Sequence, residues 1–376
     1  MDIGGLGVKP FHIISVIMIV IIFIFSRGRV SKFFLYSPAM CFFSIFLSVV
    51  SVFQIIANGV TPGFLRGVFY AFIFLFSMMV HAEILKQCLK DGIDFNEYIS
   101  RAVGLASLIV VFIVSVKNFI YLPDVLSQYF AGALRPKPSW NFMNYGESIN
   151  NEIVFSIMLL PMAFMFGKNI FYYFSVFVVL IYCVLTKVDA AYLFFAFFLM
   201  IHTFDRFFES GRKMYVYLLF LLFIIPLVLE IYFVSGYHDE LSGGELGRYL
   251  LWREAYLKLL EFPIFDVLFG GFDISYMISG FDEFHKIGHH VMDFHNTYLN
   301  FIFEFGLFVL CVYLMLFFLP LLNVISLCDK KHPVVIYLLF SLLSCWFSPR
   351  GMDYSFWFLV PFVIFMSNYS RSRVRC

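Results

Sequence analysis

Long, uninterrupted apolar segments restrict the fold of this chain more than any other feature of its sequence. Phe11 to Phe25 contains no charged residue, and similar blocks recur to the end of the chain. Only helices and closed barrels satisfy their backbone polar groups inside a lipid bilayer. Because the blocks are continuous rather than alternating, they predict helices. Charged residues make up only 14% of the chain, against about 25% in soluble domains, which excludes a soluble protein.

Eleven segments approach the length of about 20 apolar residues that a membrane-spanning helix needs. They predict an all-α, polytopic integral membrane protein with about 11 (10–12) transmembrane helices, forming a single membrane domain over residues 1–376. The segments are 10–26, 37–57, 64–85, 102–120, 152–167, 169–186, 190–208, 214–235, 297–319, 333–348 and 352–369. Three basic residues, Arg27, Arg29 and Lys32, follow the first segment and only Lys9 precedes it, so the segment is expected to be a retained span rather than a signal peptide.

The Lys and Arg residues between the segments predict the orientation. One set of loops and the C-terminal tail holds 15 of them, and the opposite short segments hold only four, Lys9, Arg66, Lys187 and Arg350. Cytoplasmic loops carry the excess of positive charge. This predicts a cytoplasmic C-terminus and an outer N-terminus, with two long outer loops at 121–151 and 236–296.

Charge and cysteine usage exclude several other classes of protein. The net charge of +1 gives no field that would attract nucleic acid. The seven Cys residues include no CxxC pair and lie mostly inside apolar segments, so a disulfide framework is not expected.

The loop at 236–296 carries the polar chemistry. Residues 247–261, GRYLLWREAYLKLLE, predict an amphipathic helix in the outer interface. Its apolar face is expected to hold Arg248, Trp252, Ala255, Tyr256 and Leu259. Arg248 is either a side chain that reaches out to the headgroup region or a phosphate ligand with a planar fork of donors.

Local signals then predict a turn and a new helix. Pro263 ends the amphipathic helix, Gly270-Gly271 turns the chain, and Asn296 or Thr297 caps the ninth span. His295 would stand at that helix N-terminus, where the dipole favours the neutral imidazole that a general base needs. The alternatives are a passive interfacial His and a metal cluster of His285, His289, His290 and His295, whose spacing fits no standard zinc pattern.

Glu304 is an acidic residue inside the ninth predicted span. Acidic residues in spans are rare and are usually functional. The alternative is a structural role, in which Glu304 pairs with Arg350 or with a backbone donor.

Together these motifs resemble the O-antigen ligase and polymerase superfamily of membrane glycosyltransferases. The resemblance runs from Gly247 to about Leu310. It rests on Gly247-Arg248 with Trp252 four residues later, Pro263 with Gly270-Gly271, His295-Asn296-x-x-Leu299, and Glu304-x-Gly306. It implies a metal-independent glycosyltransferase of the bacterial inner membrane, without a cofactor, that acts on glycans carried by undecaprenyl pyrophosphate.

The resemblance also implies roles for individual residues. Arg248 would hold the pyrophosphate and His295 would act as base on the acceptor hydroxyl. Ligases carry a Ser-Arg near the start of a mid-chain span, whereas this chain has Lys187 in the corresponding stretch 185–191, which favours a polymerase. The residues expected to bind substrate are Arg135, Lys137, Trp140, Lys187, Trp252, Arg253, Asn296 and Glu304.

Three functions stay open from the sequence. A polymerase joins one lipid-linked repeat unit to another, a ligase transfers the glycan to lipid A–core, and a transporter moves a lipid or solute without chemistry. Transporters place polar groups near the bilayer midplane, which the weakly charged segments here do not favour. The expected partners are the lipid-linked oligosaccharide, the bilayer and, for a polymerase, a chain-length regulator membrane protein, with no nucleic acid.

Overall fold

The computed structural model describes most of the chain from Pro38 onward. The described residues are 2–3, 6–7, 38–60, 62–133, 136, 149–186, 191–192, 194–196, 198–199, 211–234, 244–279, 294, 296–327, 332–346 and 354–374. Almost all of them are helical. A two-residue antiparallel pair, β1 (Asp2–Ile3) with β2 (Leu6–Gly7), is the strand pairing within these ranges.

Besides the described residues within 191–199, which are helical as well, fourteen helices with described bounds follow. They are α1 (Pro38–Asn58), α2 (Pro62–Asp91), α3 (Phe95–Ile120), α4 (Leu122–Phe130), α5 (Ile149–Phe166), α6 (Ile170–Thr186), α7 (Gly211–Val234), α8 (Gly244–Glu261), α9 (Ile264–Phe269), α10 (Ile274–Ser279), α11 (Thr297–Phe305), α12 (Leu307–Leu327), α13 (Pro333–Ser344) and α14 (Tyr354–Val374). The prediction of an all-α chain is therefore confirmed.

Apolar composition indicates a membrane-embedded protein. The helices α1, α2, α3 and α12 are long and apolar enough to cross a bilayer. On α1, Phe42, Phe53 and Ile56 are largely exposed, as expected of side chains that face lipid. Shorter apolar helices occupy most of the other predicted spans. The predicted span 10–26 and most of 190–208 lie outside the described residues, so the number of spans remains a prediction.

Two predicted segments differ from the observed helices. The ninth span, predicted as one helix over 297–319, is broken at Gly306 into α11 and α12. Gly306 has φ 94° and its amide nitrogen donates to Ile302 O at 2.8 Å, so the backbone leaves the helical path there. The first long loop, predicted as 121–151, begins with helix α4.

The chain divides into two compact units. Unit 1 comprises Met1–Ile84, Leu218–Leu327 and Leu342–Cys376, and unit 2 comprises Leu85–Tyr217 and Cys328–Ser341. In unit 1, α12 packs against α14, α1, α9 and α11. In unit 2, α3 packs against α5 and α6, and α4 covers one end of α3. Each unit has a core of large aliphatic and aromatic side chains.

Candidate functional site

The predicted loop helix is present as α8, and it packs against protein rather than lying free on a surface. Trp252 and Ala255 are buried in one cluster with Phe294, Leu299 and Phe303. Tyr256 and Leu259, which were predicted on the same face, pack against this cluster. Burial of these apolar side chains against α11 holds α8 in unit 1.

The opposite side of α8 is more exposed and carries both polar residues and the apolar Leu257 and Leu260. Arg253, one of the expected substrate-binding residues, lies on this exposed part of the helix. Lys258 Nζ pairs with Glu261 Oε2 at 2.7 Å. The hydrogen bond and charge of Glu261 raise the pKa of Lys258 above its ordinary value.

One hydrogen bond connects α8 to the residue before His295. Trp252 Nε1 donates to Phe294 O at 2.7 Å, and both side chains are buried. Trp252 was predicted to bind substrate; its indole is packed into the cluster and its N–H is engaged. The hydrogen bond holds residue 294 against the helix that carries Arg248.

Asn296 begins α11 as its N-cap, as the sequence predicted. Asn296 Oδ1 accepts from Tyr298 N at 3.0 Å and from Leu299 N at 3.2 Å. One turn later, Asn300 Oδ1 accepts from Phe294 N at 3.1 Å. The cap therefore satisfies two backbone donors of α11, and a side chain of α11 holds the backbone of Phe294.

The turn at Gly270-Gly271 fits against the break at Gly306. Gly271 N donates to Phe303 O and Phe272 N donates to the same carbonyl, each at 3.1 Å. Gly270 and Gly306 both have positive φ, and a Cβ on either would meet backbone atoms of the other segment. This close approach gives the Pro263 to Gly271 and Glu304-x-Gly306 motifs a common physical reason, because only glycine allows it.

Glu304 is buried and has a cation that the sequence did not assign to it. Arg66 Nη2 lies 3.5 Å from Glu304 Oε1, whereas Arg350, the expected partner, lies outside the described residues. Gln54 Nε2 donates to Glu304 O at 2.8 Å. Gly63 contacts the Glu304 carboxylate so closely that a Cβ would clash with it.

The described residues contain only part of the predicted site. Arg248 lies within the residue range of helix α8, four residues before Trp252. The remaining predicted residues lie outside the described ranges: His295, Arg135, Lys137, Trp140 and Lys187. The His residues of the alternative metal cluster are also outside them, and within the described ranges no group of three His, Cys, Asp or Glu side chains could hold a metal ion.

Unit 2 contains a buried ion pair that sequence reasoning missed. Lys117 Nζ on α3 bonds to Glu152 Oε1 on α5, and both side chains are buried. Tyr182 OH on α6 donates to Asn118 O at 2.7 Å. The available signal was the presence of a Lys and a Glu within or beside predicted spans.

Comparison of the chain with protein-family models, with curated proteins and with solved structures gave no match.

Proposed function

We propose that the chain is a polymerase that joins undecaprenyl-pyrophosphate-linked repeat units of O-antigen or a related surface polysaccharide. The reaction is glycosyl transfer at the outer face of a bacterial inner membrane, with the N-terminus periplasmic and the C-terminus cytoplasmic. A hydroxyl oxygen of the acceptor unit forms a bond to the anomeric carbon of the donor glycan. The bond from that carbon to the pyrophosphate oxygen breaks, and the lipid pyrophosphate leaves.

The observation that carries this proposal is the hydrogen bond from Trp252 to Phe294 O. It joins the helix with the Gly247-Arg248 motif to the residue that precedes His295-Asn296. Trp252 and Leu299, one residue from each motif, are separated by more than 40 residues of sequence and belong to one packed cluster. This supports a common site for a leaving-group ligand and a general base.

In this mechanism, two residues carry the chemistry. The Arg248 guanidinium stabilises the negative charge that develops on the pyrophosphate, which is most effective in a site that excludes water. The neutral His295 imidazole accepts the proton of the attacking hydroxyl. Because leaving-group charge and proton are both handled by side chains, the proposed reaction requires no metal.

A lipid-linked substrate also requires a site close to the membrane surface. Leu260 is 83% exposed, and Ile264 and Phe265 nearby are largely exposed as well. Exposed apolar side chains beside a polar loop are typical of segments that contact the headgroup and acyl boundary. This supports a loop that receives its substrate directly from the bilayer.

Purified protein in liposomes tests the proposal. With lipid-linked repeat units and no energy source, we expect glycans of several repeats on the lipid. Transfer to added lipid A–core without chain extension would identify a ligase instead. Movement of intact substrate across the bilayer, with no new glycosidic bond, would overturn the enzymatic proposal.

A further inference from the structure

Two carboxamides at the beginning of α11 are bonded only through their oxygens. Asn296 Oδ1 accepts from Tyr298 N and Leu299 N, and Asn300 Oδ1 accepts from Phe294 N. The Nδ2 atoms of both residues are buried and have no hydrogen-bond partner within the part of the chain that the structure describes. A backbone N–H must face a carbonyl oxygen, so these bonds fix which end of each amide is nitrogen.

The backbone donors at the same helix end are already used. Thr297 N donates to Cys345 O at 2.7 Å, and Asn300 N donates to Asn296 O at 3.0 Å. Tyr298 N and Leu299 N are capped by Asn296. The unused donors are therefore the two side-chain NH2 groups, one helical turn apart, on residues that are 0% and 3% exposed.

The hydrogen-bonding chemistry of the two side-chain NH2 groups indicates which kind of ligand they bind. An amide NH2 only donates, so the ligand must present an acceptor oxygen. The positive end of the α11 dipole makes a negatively charged oxygen the favoured one. Buried donors without partners are costly, and a bound anion would remove that cost at both amides together.

We propose that Asn296 and Asn300 bind a phosphate oxygen through their Nδ2 groups. Resting on the proposed function, this assigns the site to the pyrophosphate of the lipid-linked donor. Arg248 then neutralises the charge of the leaving group, while the two amides fix its position. Asn296 and Asn300 are binding residues and take no proton from the substrate.

Substitution by Asp separates this role from a structural one. Asn296→Asp and Asn300→Asp each keep the oxygen that accepts the backbone N–H, and Asp is as good an N-cap as Asn. Each replaces the donor with a second acceptor and adds a negative charge. The matched control is Asn323→Asp on α12, which adds the same charge where Nδ2 already bonds to Ser367 Oγ.

The measurement is binding to the full-length protein in nanodiscs, with inorganic pyrophosphate in one arm and undecaprenyl pyrophosphate in the other. We expect each Asp variant at positions 296 and 300 to bind at least about tenfold more weakly, the usual effect of losing a hydrogen bond to a charged group. The Asn323→Asp protein should bind like wild type. Thermal unfolding of all four proteins, measured in parallel, checks that the variants are folded.

The two arms identify the source of the phosphate. Binding of undecaprenyl pyrophosphate alone, lost in both variants, assigns the site to a lipid headgroup; equal binding of inorganic pyrophosphate assigns it to the phosphate group itself. Unchanged affinity in folded Asn296→Asp and Asn300→Asp proteins would overturn the inference, as would absence of binding to wild type in both arms.

The same proteins distinguish this inference from the proposed function. If pyrophosphate binding depends on the two amides but no lipid-linked repeat is extended, the anion site stands and the polymerase proposal fails. If wild type extends glycans while the Asp variants bind pyrophosphate normally, the polymerase proposal stands and the site fails.

Discussion

Lys117 and Glu152 form an ion pair between α3 and α5 in which the Lys side chain is 5% exposed and the Glu side chain is 0% exposed. Among the described residues, Glu152 Oε2 has no hydrogen-bond partner. A pair of this kind holds two apolar helices in one register, because neither charge has water as an alternative partner.

Removing one member of this pair should destabilise unit 2 strongly. Lys117→Met leaves a buried carboxylate uncompensated, for which the expected loss is about 3–5 kcal/mol of the free energy of unfolding. The double variant Lys117→Met/Glu152→Leu removes both charges and should recover most of that loss. Unfolding of the single and double variants in detergent measures this, and additive losses would contradict it.

Because His332 is buried, we expect the free energy of unfolding of the protein to depend on pH. Burial lowers the pKa of His332 to about 4, from about 6.5 in an unfolded chain. Its Nε2 lies 3.0 Å from Ser100 Oγ. The unfolded state therefore takes up the proton first, and stability falls as the pH falls from 6.5 towards 4, by at most about 1.4 kcal/mol per pH unit. His332→Gln should have a flatter profile between pH 7 and 5; parallel profiles would refute this.

Trp252→Phe should weaken both the loop and the activity. The change keeps an aromatic ring but removes the Nε1 donor to Phe294 O, with an expected loss of about 1–3 kcal/mol. Because residue 294 precedes His295, polymer formation should fall as well. Trp357→Phe is the control, since Trp357 is a buried Trp of the same unit in the aromatic cluster with Tyr70 and Tyr313. Equal activity of the two variants would argue against a positioning role.

Arg248→Ala should abolish polymer formation while the protein stays in the membrane. Arg248→Lys should retain little activity, because a point charge replaces a two-pronged donor. Lys258→Ala removes a cation from the same helix and should be nearly neutral. A fully active Arg248→Ala protein would leave Arg248 as a headgroup-seeking side chain.

His295→Ala should reduce turnover by roughly a hundredfold or more, within the range for loss of a general base. Pyrophosphate binding should persist, since the leaving-group site is intact. His289→Ala and His290→Ala should have much smaller effects at equal expression. Similar losses at all three positions, together with chelator sensitivity, would indicate a metal cluster instead.

Local signals explain which parts of the candidate site were predictable. Asn296 as a cap, Pro263 as a helix end and Gly270-Gly271 as a turn each depend on a few neighbouring residues. Their physical cause lies within one turn of chain, so the sequence pattern contains it.

The long-range partners were not predictable in this way. Arg66 approaches Glu304 from a helix more than 200 residues earlier, and Lys117 meets Glu152 across two helices. The packing of the helices decides which of several cations reaches a buried carboxylate. The hydrophobic pattern of the sequence predicts only that the helices exist. The break at Gly306 was missed for the same reason, because it depends on the approach of the turn at Gly270.

The hydrogen bond from Gln54 to Glu304 O has a consequence for biosynthesis. The two residues are 250 positions apart, and a ribosome adds roughly 5–20 residues per second. Synthesis of the chain between these two residues therefore takes roughly 12–50 s. During this time the polar Gln54 carboxamide on α1 lies in the insertion machinery or the lipid without its hydrogen bond to Glu304 O. Nascent chains released before residue 304 would lack this bond, so α1 would keep a polar carboxamide without its native acceptor at Glu304.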